Sequence, residues 1–124
     1  MKGSILLQES DSDLRKVLAL YLENLDWRVL QSKTKKFAVQ LLEKENPTIL
    51  ITELDPAESK PDDLIKCFRA VNKVRAVSIL ILTTFEHLGK EIVRQYRPDA
   101  ILHKPFDVRT VGRKIERLLD GGGA

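Results

Sequence analysis

Short apolar runs alternate along this chain with longer segments whose apolar positions recur at helical spacing. Ile5-Leu6-Leu7 passes into Gln8-Glu9-Ser10-Asp11, which reads as a strand ending in a polar loop. Leu14, Val17, Leu18, Tyr21, Leu22 and Leu25 then predict the inward face of a helix. Ser10 or Asp11 caps it, and Asp13 complements the helix dipole in the first turn. Trp27-Arg28-Val29-Leu30-Gln31 predicts a second strand. Phe37, Ala38, Leu41 and Leu42 mark a second helix, which must stop before Asn46-Pro47 because the residue before a proline avoids helical geometry.

Thr48-Ile49-Leu50-Ile51-Thr52 is almost wholly apolar or β-branched, as a strand covered on both faces requires. Glu53-Leu54-Asp55-Pro56 and a polar loop through Lys60-Pro61 follow it. A third helix starts near Asp62 and turns Leu64, Ile65, Phe68 and Val71 inward. Residues 77–82 predict the fourth strand, closed by Thr83-Thr84, and a weaker helix covers about 86–95. Ala100-Ile101-Leu102-His103 is the last strand. After Lys104-Pro105-Phe106, Asp107 caps a final helix bearing Val108, Val111, Ile115, Leu118 and Leu119. Gly121-Gly122-Gly123 reads as a frayed end or the stub of a linker, so one domain over 1–120 with a glycine-rich tail at 121–124 is expected.

Five strand–helix alternations call for an α/β fold: a parallel sheet with right-handed crossovers and helices on both faces. Sites in such sheets form beyond the carboxyl ends of the strands, at the topological switch point. Glu9, Ser10, Glu53, Thr83 and Lys104 fall just past the strand ends, so the topology would gather two acids, two hydroxyls and a lysine at one rim. The acids would suit a hard cation and the lysine an anionic group beside them. The same residues also suit a purely structural ion-pair cluster.

Composition narrows the classes. With 124 residues, 43% hydrophobic and 31% charged, the chain can bury one core and is neither disordered nor membrane-like. No apolar stretch is long enough to span a bilayer, and the opening Met1-Lys2-Gly3-Ser4-Ile5 leaves no room for a signal peptide. The single cysteine, Cys67, has no partner for a disulfide and no metal-ligand spacing, which fits a cytoplasmic protein. His87 and His103 lack a second ligand at metal spacing. The net charge of +3 is modest, concentrated at Lys33/Lys35/Lys36 and Arg109/Arg113/Lys114/Arg117, and no aromatic residues interleave with it, so a nucleic-acid surface is not expected. There is no glycine-rich phosphate loop, nucleophile elbow or Ser-His-Asp order, and an independent enzyme is not expected.

The ordered fragments are more specific than the pattern. They are Ile-Leu-Leu-Gln-Glu-Ser-Asp-Ser-Asp-Leu-Arg (5–15), Asn-Pro-Thr-Ile-Leu-Ile-Thr-Glu-Leu (46–54), Ile-Leu-Ile-Leu-Thr-Thr (79–84) and His-Lys-Pro-Phe-Asp (103–107). Together they resemble the receiver domain of response regulators in two-component (phosphorelay) signalling. The resemblance implies a (βα)5 flavodoxin-like, doubly wound fold with five parallel strands. It places Glu53 on the phosphoacceptor aspartate, and Glu9 and Ser10 on the acidic pair that binds magnesium. Asp55 falls where a backbone carbonyl completes the metal shell. Thr83 and Lys104 match the phosphoryl-contacting hydroxyl and lysine, Pro105 the cis-proline, and Ile101 the switch aromatic.

The departures are chemical. Glu53 replaces an aspartate, Ser10 a metal-binding acid and Ile101 an aromatic. Thr84 stands for a small residue and would narrow access for a phosphodonor, and Arg97-Pro98 replaces a Gly-Ala turn. Losing one carboxylate weakens any Mg2+ site, and the extra methylene of Glu53 is expected to push its carboxylate toward Lys104 and Thr83. The expectation is a receiver-like domain that is not phosphorylated, or only weakly, and acts through a protein partner, a kinase or a downstream effector. The face carrying Lys90, Arg94, Arg109 and Arg113 is the expected contact, and a homodimer is left open. The alternatives are a conventional Mg2+-dependent phospho-switch and a basic module that binds nucleic acid or an acidic protein.

Overall fold

The computed structural model describes residues 2–54, 63–73, 76–84 and 90–120, with the side chains of 63 and 90–92 excepted. In chain order the elements are β1 (Ser4–Gln8), α1 (Ser12–Asn24), β2 (Arg28–Ser32), α2 (Lys35–Lys44), β3 (Ile49–Glu53), α3 (Asp63–Val71), β4 (Ser78–Thr83), α4 (Lys90–Tyr96), β5 (Ala100–His103) and α5 (Val108–Leu119). All strand pairs are parallel, in the order β2-β1-β3-β4-β5. The chain therefore steps to one side of β1, then crosses back to the other. The switch point lies between the carboxyl ends of β1 and β3.

Each central strand divides its side chains between two cores with a period of two. Ile5, Leu7, Ile49, Ile51, Leu80 and Leu82 face α1 and α5, packing on Leu18, Leu22, Val111 and Ile115. Leu6, Leu50, Ile79 and Ile81 face α2, α3 and α4, packing on Ala38, Leu42, Leu64, Phe68 and Tyr96. Both faces being dry explains why β3 and β4 read as nearly unbroken apolar runs. Asp11 caps α1 by accepting from the Asp13 and Leu14 amides, and Thr34 and Asp107 cap α2 and α5 in the same way.

Some expected contacts fall elsewhere. Val17, Phe37, Val71 and Leu119 are about half exposed, not inward, while Ala19 takes the buried place on α1. Each lies at the margin of its apolar stripe, where a small phase error decides which side faces the sheet. Trp27 is buried but precedes β2, lying over Gly3. Gly112 is where α5 crosses α1: a Cβ there would sit 3.1 Å from Leu25 and Tyr21. Arg97 has φ +47°, a left-handed conformation that favours glycine, at the position where the resemblance expects one. Its carbonyl accepts a 2.7 Å hydrogen bond from Arg69 Nη2. Among the described residues no helix is long and apolar enough to cross a membrane. Asp55, the Lys60-Pro61 loop, the start of the third helix near Asp62, His87 and the tail at 121–124 lie outside the described residues.

Candidate functional site

β1 and β3 end side by side, with Gln8 paired to Thr52, and this register delivers Glu9 and Glu53 to one place. Glu9 is fully buried, held by its own N–H donating to the Ser32 carbonyl (3.0 Å) and by Arg15 Nη1 donating to its carbonyl (2.7 Å). Its Oε2 accepts from the Asp11 amide at 3.0 Å. β5 supplies the cation. The Lys104 N–H donates to the Thr83 carbonyl at 2.7 Å, which aims the side chain back over the rim. Lys104 Nζ then lies 2.6 Å from Glu9 Oε1 and 3.8 Å from Glu53 Oε1. The closer contact is an ion pair off the line of a good hydrogen bond, since Glu9 Oε1 has no aligned donor. The Lys104–Pro105 peptide is cis.

The Glu53 carboxylate turns toward the β1–α1 loop. Its Oε2 accepts from Gln8 Nε2 and from the Ser10 amide, both at 2.9 Å, and its Oε1 accepts from Ser10 Oγ at 2.9 Å. The carboxylate stays within ion-pair distance of Lys104, at 3.8 Å, as the extra methylene leads one to expect, but its hydrogen bonds go to Gln8 and Ser10. The donors of the β1–α1 loop are better placed, and Lys104 is already committed to the buried Glu9. Ser10, where the resemblance expects a metal-binding acid, is instead a clamp on Glu53. Thr83 is buried at the end of β4, and Ile101 on β5 packs against the α2–α4 core.

Electrostatics separate the two acids. Burial pushes the Glu9 carboxyl above its ordinary value of 4.5; Lys104 and the Asp11 amide oppose this without reversing it. Burial acts on Glu53 in the same sense, but hydrogen bonds from Glu9, Gln8 and Ser10 outweigh it and hold Glu53 low. Of the two, Glu9 therefore holds a proton more readily than Glu53.

Gln8 was not among the residues singled out from the sequence. It is buried, donates to Glu53 and to the Lys33 carbonyl, and accepts from Thr52 Oγ1 at 2.7 Å. An amide closing an otherwise apolar strand was the available signal, because a buried amide must find partners. A cleft of about 410 Å³ opens beside the cluster, lined by Asp11, Leu14, Thr84, Lys104, Pro105 and Phe106, with Thr84 at its exposed edge.

A magnesium ion fits this donor set poorly. Glu53 accepts three hydrogen bonds, and Glu9 is shared between an amide and an ammonium. A dication would have to displace Lys104 or the Ser10 clamp to reach oxygen ligands in the geometry it demands. Among the described residues no group of three or more potential ligands is arranged to hold a metal.

The fold and the strand-end chemistry can be set against known proteins. No family model matches the chain. The response regulator receiver protein CpdR of Brucella abortus (strain 2308) is 28% identical over 116 residues, covering 93% of this chain and 95% of that protein. In sequence the chain is similar to this response regulator receiver protein along nearly its whole length. The chemotaxis response regulator CheY4 of Vibrio cholerae superposes with a TM-score of 0.81 at 18% identity, over 95% of this chain and 99% of that one. The Francisella response regulator 1452 receiver domain gives a TM-score of 0.75 at 17% identity, over 97% and 98%.

Proposed function

We propose that this receiver domain signals through protein contacts without a phosphoryl switch at Glu53. The carrying observation is the engagement of both Glu53 oxygens by Gln8 and Ser10. Forming an acyl phosphate there would take one of the two oxygens from its hydrogen bonds and set a phosphoryl charge beside the buried Glu9. Mg2+ binding would be weak for the reason of donor geometry given above, and Asp55, whose carbonyl would join a metal shell, lies outside the described residues. Because Lys104 lies closer to Glu9 than to Glu53, Glu53 is read as a structural anchor and not as a mimic of the phosphorylated state. The partner is a kinase or a downstream effector, in the cytoplasm, met through the face of α4 and α5. There Arg109 is neutralised by Asp107 at 2.6 Å, which leaves Arg94 and Arg113 to carry the charge. The side chain of Lys90 lies outside the described residues.

The test is incubation with magnesium and a small acyl-phosphate donor, followed by intact mass measurement. An unmodified mass is expected. A stable phosphoryl adduct mapped to Glu53 would overturn the reading in favour of a conventional phospho-switch.

A further inference from the structure

Two grooves flank α3 on the face of the sheet that carries α2, α3 and α4, and none of Glu9, Glu53, Thr83 and Lys104 lines either one. The first, about 580 Å³, lies between α2 and α3, with Lys35, Lys36 and Lys66 around an apolar floor of Val39, Leu64 and Cys67. The second, about 400 Å³, lies between α3 and α4, with Arg69, Lys73 and Arg97 around Ile65 and Tyr96. Lys66 borders both and joins them into one surface. The spacing of Lys66, Arg69 and Lys73 is three and then four residues, which keeps all three on one side of α3 and its end.

Among the described residues, the charged side chains that line the two grooves are all basic. Among the described residues no carboxylate lines either groove. Lys36, Lys73 and Arg97 make no ion pair among the described residues. Arg69 is fixed by donating to the carbonyls of Tyr96 and Arg97, so it is held rigid while its positive charge is kept. A run of like charges around apolar floors is matched by a ligand that carries both acids and apolar side chains.

We propose that this surface docks an acidic segment of a partner protein, with one apolar side chain of that segment seated in each groove and its carboxylates against Lys36, Lys73 and Arg97. A nucleic-acid strand fits less well. Its phosphates would meet the cations but leave the apolar floors in water, and the Tyr96 ring is buried, so it offers no platform for a base. The surface is separate from the α4–α5 face, and the proposal stands whether or not Glu53 accepts a phosphoryl group.

The full chain is titrated with three labelled probes of equal charge: a peptide of Glu and Asp with interspersed Leu and Phe, a peptide of Glu and Gly, and a single-stranded DNA oligonucleotide. The Leu/Phe peptide is expected to bind about tenfold tighter than the other two, a difference of about 1.4 kcal/mol. Its backbone-amide shifts are expected to fall on α2, α3 and the end of α4. Lys36→Glu and Lys73→Glu should each weaken it several-fold, while Lys16→Glu on α1 leaves it unchanged. Equal affinity for all three probes, tighter binding of the DNA, shifts centred on α5, or no binding of the Leu/Phe peptide would each overturn the proposal. An adduct at Glu53 with peptide binding intact would overturn only the phosphoryl-independent reading.

Discussion

Lys104 holds Glu9 and stands off from Glu53: its Nζ is 2.6 Å from the first carboxylate and 3.8 Å from the second. The preference follows from burial. Glu9 is cut off from water, and among the described residues no other cation pairs with its carboxylate, whereas Glu53 is partly exposed and drawn to Gln8 and Ser10. A buried charge left unpaired is far costlier than a half-exposed one, so the single ammonium goes where it is needed most.

Removing that ammonium should therefore destabilise the fold. Lys104→Ala is expected to cost about 3 kcal/mol, the low end for breaking a buried pair, because the lysine side chain keeps some contact with water. Adding Glu9→Gln in the same chain should recover most of the loss. Urea denaturation of the two variants checks this, and an unaltered midpoint for Lys104→Ala would contradict it.

The acids also set opposite pH slopes. Glu9 is raised in the folded state, so between its ordinary 4.5 and its folded value the native protein holds the extra proton, and stability falls as pH rises through that window. Glu53 is lowered, so its contribution is present above 4.5 and is lost as pH falls toward its folded value. From these two groups alone, stability peaks near 4.5. Glu9→Gln should flatten the fall on the alkaline side of the peak, as read from denaturation midpoints across pH.

The clamp on Glu53 makes a chemical prediction. Glu53→Asp withdraws the carboxylate by one methylene from Gln8 and Ser10, and Ser10→Asp restores a second acid for a metal. The double variant should gain a phosphoryl adduct from an acyl-phosphate donor with magnesium, while the parent chain does not. Intact mass, with and without a chelator, reports both.

The α1–α5 crossing leaves room for glycine and little else. At Gly112 a methyl group would press on Leu25 and Tyr21 at 3.1 Å, so Gly112→Ala should be close to neutral, its helix propensity offset by crowding. Gly112→Leu should cost about 2 kcal/mol, because a large side chain forces the helices apart. Thermal unfolding of the pair separates the two effects.

Much of this fold could be read along the chain. The apolar runs identified β1, β3 and β4 as strands, and β3 as one covered on both faces; Asp107 marked its helix from sequence alone, while the first cap was narrowed to Ser10 or Asp11, of which the fold uses Asp11. The alternation of elements implied where strand ends would meet, so Glu9, Glu53, Thr83 and Lys104 could be nominated before any coordinate. Local periodicity and capping are properties of neighbouring residues, and a linear string carries them.

What it could not carry was the choice among partners. Whether Lys104 turns to Glu9 or Glu53 depends on relative burial, which is set by how α1 and the β1–α1 loop close over the rim. The roles of Gln8 and Ser10 arise from the β1–β3 register, which joins residues more than forty positions apart. The exposure of Val17 and Phe37 was decided by helix rotation against the sheet, and the basic grooves beside α3 by the packing of three separate helices. Proton affinity, charge pairing and cavity shape follow from distances across the fold, and those exist only once the sheet and its helices are assembled.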